Sequence, residues 1–202
     1  MDEYLSNHFI DFSRSQWKLY SILILRPLRD KGVKMPSTYT PIATTTLGSA
    51  AATVSFTGIS SAYTDLILVI NAADNAGANV YLQMGNGSID TGSNYSDTIL
   101  TGNGSTAYSA RDTSQTKILY AYEGTPPTSL SFGTYIINFM NYSNTTTYKT
   151  VLSRANSASS GTDAIVGLWR STSAINQIQL SAQGATTYST GSTFTLYGVK
   201  SA

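Results

Sequence analysis

The sequence predicts an all-β protein, namely a two-sheet antiparallel β-sandwich that follows a short, partly helical or extended N-terminal arm. Short apolar or alternating segments recur along most of the chain, and clusters of Gly, Asn, Ser and Pro separate them. Lys and Glu, which usually cover exposed helices, are scarce, since charged residues make up only 11% of the 202 residues. These observations favour strands joined by turns.

A change in composition near Met35 divides the chain into an arm, residues 1–37, and a sandwich domain, residues 38–202. Residues 1–35 hold six of the twelve basic side chains and four of the eleven acidic ones. The rest of the chain is rich in Ser, Thr, Asn, Gly and Tyr, and it is long enough for one domain with a single core. We therefore expect one folded domain that carries an arm.

The arm has large apolar side chains at spacings that fit one side of an interrupted helix, which Pro27 would end. Its apolar run at residues 19–25 has only seven residues, whereas roughly 20 are needed to cross a bilayer. Basic residues follow this run instead of preceding it, which disfavours a secretory signal peptide. The sequence thus predicts no membrane span.

The arm is the predicted attachment element of the protein. A large apolar side chain contributes roughly 1.5–3 kcal/mol when it is buried, and the arm has too many of them to leave in water. The alternative is that these side chains cover an exposed sheet of their own sandwich. The candidate anchoring residues are Phe9, Phe12, Trp17, Tyr20, Leu23, Leu25, Arg26 and Arg29.

The pattern after residue 38 predicts ten strands. They fall at residues 52–56, 66–72, 79–84, 95–100, 117–122, 134–142, 148–153, 164–169, 175–182 and 193–199. In residues 177–182 apolar side chains alternate with amides and hydroxyls, which predicts a strand with one face in water. Residues 66–70 are apolar throughout, which predicts a central strand that is covered on both sides.

Two identical glycine-rich tetrapeptides, at residues 85–88 and 102–105, predict hairpin turns. Each contains Asn-Gly, which suits the positive φ angles of tight turns. Neither is followed by Lys-Ser/Thr or by a predicted helix, so a phosphate-binding loop is disfavoured.

The sandwich domain lacks the residues of the common nucleophilic mechanisms. The chain has no cysteine, and its one histidine, His8, lies in the arm, which excludes Ser-His-Asp and Cys-His arrangements from residues 38–202. A carboxylate pair could still hydrolyse a glycosidic bond, and loop acids could hold Ca²⁺. Most of these acids stand beside turn-forming residues, so turn formation is the simpler interpretation. The acids are Asp65, Asp74, Asp90, Asp97, Asp112, Glu123 and Asp163.

The tyrosines of the domain are candidates for stacking on sugar rings or for a protein contact surface. About half of them are expected in the core or in cross-strand pairs, and Trp169 is expected to be buried. The tyrosines considered are Tyr95, Tyr108, Tyr120, Tyr122, Tyr135, Tyr142, Tyr148, Tyr188 and Tyr197.

Several segments resemble a family of virion structural proteins of tailed bacteriophages, many of marine bacteria and cyanobacteria. The matching segments are FTGI at 56–59, YTDL at 63–66, TGSNYS at 91–96, GLWR at 167–170 and GSTFTLYGVK at 191–200. The resemblance covers about residues 38–202 and leaves the arm out. It implies a jelly-roll-like sandwich that is displayed on the capsid or the tail and has no catalytic residues.

Composition and resemblance together predict a non-enzymatic virion protein, most directly a capsid decoration or cement protein on the particle surface. The alternative is a tail-associated receptor-binding module that recognises host glycan. The expected partners are the major capsid protein or tail proteins, with a homo-oligomer and a host surface glycan as further candidates. A formal net charge of +1 gives no broad basic surface for nucleic acid, and the sequence predicts neither a cofactor nor a metal site.

Overall fold

The computed structural model describes residues 38–128 and 131–200. These residues form thirteen β-strands and no helix. The strands are β1 Tyr39–Thr46, β2 Thr53–Thr57, β3 Asp65–Ala72, β4 Val80–Asn86, β5 Ser88–Ile89, β6 Tyr95–Gly102, β7 Ala107–Gln115, β8 Ile118–Ala121, β9 Gly133–Phe139, β10 Lys149–Ser157, β11 Gly161–Trp169, β12 Gln177–Ala182 and β13 Thr193–Val199. The predicted arm and all of its candidate anchoring residues lie outside the described residues, so they stay predictions.

The strands form two antiparallel sheets. One has eight strands in the order β1-β13-β3-β9-β10-β11-β6-β7, and the other has five, β2-β12-β4-β5 with β8 also paired to β4. One core joins them, because Leu68 and Phe194 of the larger sheet and Leu82 and Leu180 of the smaller one belong to the same buried cluster. The predicted all-β, two-sheet sandwich is therefore confirmed.

Eight of the strands have the topology of a jelly roll. When β5, β6, β7, β10 and β11 are set aside, the sheets have the orders β1-β13-β3-β9 and β2-β12-β4-β8. In chain order the first of these eight strands then pairs with the eighth, the second with the seventh, the third with the sixth and the fourth with the fifth. This is the pairing of a long hairpin rolled into two sheets, as the resemblance implied.

The remaining strands widen mainly one sheet. β10, β11, β6 and β7 continue the larger sheet beyond β9, whereas the smaller sheet gains only the two-residue strand β5. The end of the larger sheet formed by β6 and β7 therefore extends past the smaller sheet. As a result β7 is exposed at every position, and a cleft opens there between the two sheets.

Alternation along β3 shows which face of the larger sheet is covered. Leu66, Leu68 and Ile70 are fully buried, whereas Ile67 and Val69 on the other face are only half-buried. The predicted central position of this strand is confirmed, since it lies between β13 and β9. Within the described residues the smaller sheet packs on one face only, so the predicted cover on the other side stays a prediction.

Both glycine-rich tetrapeptides lie in hairpins, as predicted. Gly87 joins β4 to β5 with a φ of 79°, and Gly104 lies between β6 and β7 with a φ of 86°. Asn103 adopts no positive φ but accepts hydrogen bonds from the N–H groups of Ser105 and Thr106. Glycine thus supplies the left-handed backbone, and asparagine supplies the side-chain acceptor.

Candidate functional site

The outer face, defined as the side of the eight-stranded sheet turned away from the five-stranded sheet, carries an exposed apolar patch. Leu152 on β10 lies opposite Val166 on β11, and Ala164 lies opposite Leu100 on β6. The exposed fractions of Leu100, Val166 and Leu152 are 62%, 49% and 42%. Because directly opposed side chains of paired strands are neighbours, these residues form one surface.

Two arginines lie on the outer face near this patch, Arg154 on β10 and Arg111 on β7, which is opposite Thr98. Among the outer-face positions of β9, β10 and β11 only Arg154 is ionisable, and it lies opposite Ile136 and Ala164. It borders an open depression of about 550 Å³ whose other walls include Leu100 and Ala107. Continuous apolar patches of this kind mark contact sites in soluble proteins.

None of the patch residues Leu100, Leu152, Arg154 and Val166 is a sequence-predicted site residue. The alternation in β10 and β11 marks Leu152 and Val166 as lying on one face. The alternation does not show whether this face is exposed to solvent, because covered and exposed faces have the same period of two. That depends on the side of the larger sheet against which the second sheet packs.

Two of the predicted turn acids do form turns. Asp74 accepts hydrogen bonds from the N–H groups of Ala76 and Gly77 at 3.0 and 2.5 Å. Asp90 accepts the N–H of Gly92 at 2.8 Å. Their oxygens are thus used by their own loops, as predicted.

The turn interpretation is wrong for Asp163, which lies in β11. Its carboxylate accepts the N–H groups of Tyr122 at 2.7 Å and Gly124 at 3.0 Å, together with the hydroxyl of Thr101 at 2.5 Å. Its buried oxygens therefore hold the distant segment that follows β8. This is a structural role, which the sequence does not indicate because the partners lie far away along the chain.

The turn interpretation is also wrong for Asp97 and Asp112, which lie opposite each other on β6 and β7. Asp97 is only 4% exposed. Burial raises its pKa to about 6, although a hydrogen bond from the N–H of Leu119 lowers the pKa and the charge of Asp112 raises it further. Its Oδ1 atom is buried and has no hydrogen-bond partner in the described structure.

The expectation that about half of the candidate tyrosines, together with Trp169, are buried is confirmed. Five of the nine tyrosines are fully buried, namely Tyr95, Tyr120, Tyr135, Tyr142 and Tyr188. Trp169 is buried, its Nε1 donates to Asp90 Oδ2 at 2.7 Å, and its ring stacks on Tyr95 with centroids 6.4 Å apart. Trp169 therefore packs in the sandwich and offers no free ring face for a ligand.

Residues 38–128 and 131–200 contain no group of three or more His, Asp or Glu side chains that could hold a metal ion. In that same part of the chain no helix has the length and apolar character needed to cross a membrane. Comparison of the chain with protein-family models, with curated proteins and with solved structures finds no match.

Proposed function

We propose that the protein is a non-enzymatic structural component of a bacteriophage particle, a capsid decoration or cement protein displayed on the particle surface. The observation that carries this proposal is the exposed apolar patch of the outer face. A protein that acted alone would leave Leu100, Leu152 and Val166 in water, whereas a subunit of an assembly covers them. The motifs shared with virion proteins of tailed phages support the same function.

The outer face has the anatomy of a protein interface. Its centre is apolar, and the next row of positions along the strands is polar, since Asn156 lies opposite Thr134 and Thr162. An apolar centre with a polar rim is typical of protein contacts. In this proposal the major capsid protein covers the face and places an acidic or carbonyl group opposite Arg154, because a buried guanidinium needs such a partner.

Charge substitutions in the patch test this contact. Leu152→Glu and Val166→Glu should each abolish binding to particles that lack the protein, because each would bury an unpaired carboxylate at the contact. Thr57→Glu is the control, since Thr57 is exposed on β2 of the smaller sheet, away from the outer face. If both patch variants bind particles as well as Thr57→Glu does, the outer face is not the contact.

The predicted arm is the second attachment element in this proposal. Its anchoring residues would act collectively, since ordering a free arm costs about 1–2 kcal/mol per residue and offsets much of what each buried side chain contributes. The chain without residues 1–35 should therefore bind such particles at reduced occupancy. Full occupancy would show that the arm is not the anchor.

A tail-associated receptor-binding module that recognises host glycan is the second candidate function. The observation that favours it is the cleft in which Asp97 and Asp112 face each other. Copy number decides between the two positions on the particle. A number comparable with that of the major capsid protein supports the decoration protein, and a few copies per particle indicate a tail component.

A further inference from the structure

The cleft lies between the overhanging strands β6 and β7 of the larger sheet and strands β4 and β8 of the smaller one. Its volume is about 270 Å³. Pockets for drug-sized ligands usually measure about 300–1,000 Å³, so this cleft fits one small unit. The polar and aromatic side chains that line it include Asn79, Tyr81, Asp97, Asp112, Gln115 and Lys117.

The floor of the cleft has an unused hydrogen-bond acceptor. Asp97 Oδ2 accepts the N–H of Leu119 at 3.1 Å, but Oδ1 has no partner in the described structure. Leaving a buried polar atom without a partner destabilises a fold, so such an atom calls for an explanation. Asp97 lines the cleft, and the side chain of Asp112 directly opposite it is exposed.

The walls of the cleft present tyrosine rings. Tyr108 and Tyr122 meet edge to face, with centroids 5.8 Å apart, and each is 37% exposed. The ring of Tyr81 is half-buried and has the ammonium of Lys117 over it, 5.3 Å from the centroid. Such rings offer an apolar face together with a polar edge, a combination that suits the C–H face and the hydroxyls of a sugar ring.

The hydrogen-bonding groups of the cleft are of both kinds. Asp97 and Asp112 accept, Lys117 donates, and the amides of Asn79 and Gln115 do both. Hydroxyl groups also donate and accept, so they can pair with every one of these side chains. An ammonium ligand only donates and would repel Lys117, and a carboxylate ligand would face the two aspartates. The cleft therefore favours a neutral, hydroxyl-rich ligand.

We propose that this cleft binds one pyranose ring of a neutral glycan, with the sugar hydroxyls on Asp97 and Asp112 and the C–H face of the ring on the exposed tyrosines. This proposal deepens the second candidate function, because it names the class of ligand. Its test uses the isolated protein, whereas the position on the particle is tested by copy number. Failure of the sugar-binding proposal can thus be distinguished from failure of the proposed position on the particle.

The experiment is a titration of the isotope-labelled full chain with glucose, galactose and N-acetylglucosamine, followed by NMR chemical shifts. We expect at least one of the three sugars to shift the signals of cleft residues at millimolar concentration. Asp112→Ala and Tyr122→Ala should each weaken that binding roughly tenfold, because each removes one contact from a side chain that lines the cleft. Tyr148→Ala is the matched control, since Tyr148 is an exposed tyrosine outside the cleft and should leave the affinity unchanged.

Three results would overturn the proposal. The first is the absence of cleft shifts with all three sugars. The second is an equal loss of affinity in Tyr148→Ala and Tyr122→Ala, which would place binding elsewhere. The third is tighter binding of glucosamine than of N-acetylglucosamine, because the cleft would then recognise a cation and not a neutral sugar.

Discussion

The carboxylate of Asp163 on β11 accepts a hydrogen bond from the backbone N–H of Gly124 at 3.0 Å. The same carboxylate accepts the N–H groups of Tyr122 and Glu123 at 2.7 and 3.2 Å. One buried side chain thereby fixes three successive residues after β8 and, with them, a tyrosine of the cleft. The larger sheet therefore sets the shape of the cleft wall that belongs to the smaller one.

Asp163→Asn should destabilise the protein. The substitution replaces an acceptor oxygen with an amide N–H₂ that points at N–H donors, so the free energy of unfolding should fall by about 1.5–3 kcal/mol. Chemical denaturation measures this change. Glu123→Gln is the control, because it leaves the backbone bonds to Asp163 in place and should alter the same free energy by less than about 0.5 kcal/mol. Equal effects of the two substitutions would contradict the role of Asp163.

Asp97 should make the protein less stable as the pH rises. Its pKa in the folded state, about 6, lies above the ordinary value of 3.8 because of burial, so the folded state holds the proton more tightly than the unfolded chain does. Stability from this group is therefore complete below pH 3.8 and is lost as the pH rises to about 6. The other ionisable groups that line the cleft are Tyr81, Tyr108, Asp112, Lys117 and Tyr122.

Asp97→Asn should accordingly raise the melting temperature at pH 8 more than at pH 5. The gain in unfolding free energy at pH 8 is at most about 3 kcal/mol, the equivalent of the pKa shift, and screening by water in the open cleft reduces it. Thermal unfolding at both pH values measures the effect. If the variant is less stable than the native protein at pH 8, the ionised carboxylate of Asp97 has the hydrogen-bond partners that it needs, and the prediction is wrong.

Gly167→Ala should destabilise the core. A Cβ atom on Gly167 would lie 2.6 Å from Ile118 Cγ2 and 2.8 Å from Val151 Cγ2, closer than real Cβ contacts come. Overpacking of this kind typically costs about 1–3 kcal/mol. Gly48→Ala is the matched control, since no atom lies within 4 Å of a Cβ there. If denaturant midpoints are the same for both variants, the packing around β11 is looser than described.

The protein should show no glycan-cleaving activity. Most described acids are used in structural hydrogen bonds, and the sequence offers neither histidine nor cysteine after residue 38 as a partner for a nucleophile. Release of reducing ends from host glycan should equal the blank for the native protein and for Asp97→Asn and Asp112→Asn. Reproducible cleavage that either substitution abolishes would make Asp97 and Asp112 an acid–base pair.

The domain should fold without the arm. All thirteen described strands lie after residue 38, and their apolar side chains form their own core. Residues 36–202 alone should therefore give an all-β circular dichroism spectrum and a cooperative unfolding transition. A strongly helical spectrum or an unfolded chain would contradict this expectation.

Local patterns in the sequence determined most of the strands and turns of this protein. Each of the ten predicted strands overlaps a strand of the fold, because alternating burial imposes a period of two on the residues of a sheet. β7 escaped prediction for the same reason, since it is exposed throughout and has no apolar period. β1 and β5 were not predicted either, because β1 is rich in threonine and β5 has only two residues.

Only the tertiary structure decided where the candidate sites lie. Asp97 and Asp112 meet because β6 and β7 pair in one register, with an irregularity between Tyr95 and Asp97, and a shift of one residue would turn either carboxylate to the other face. Leu152 is exposed because it lies on the face of the larger sheet that is turned away from the smaller one. Strand pattern is a local property of the chain, whereas register and the relative width of two sheets depend on residues far apart in it.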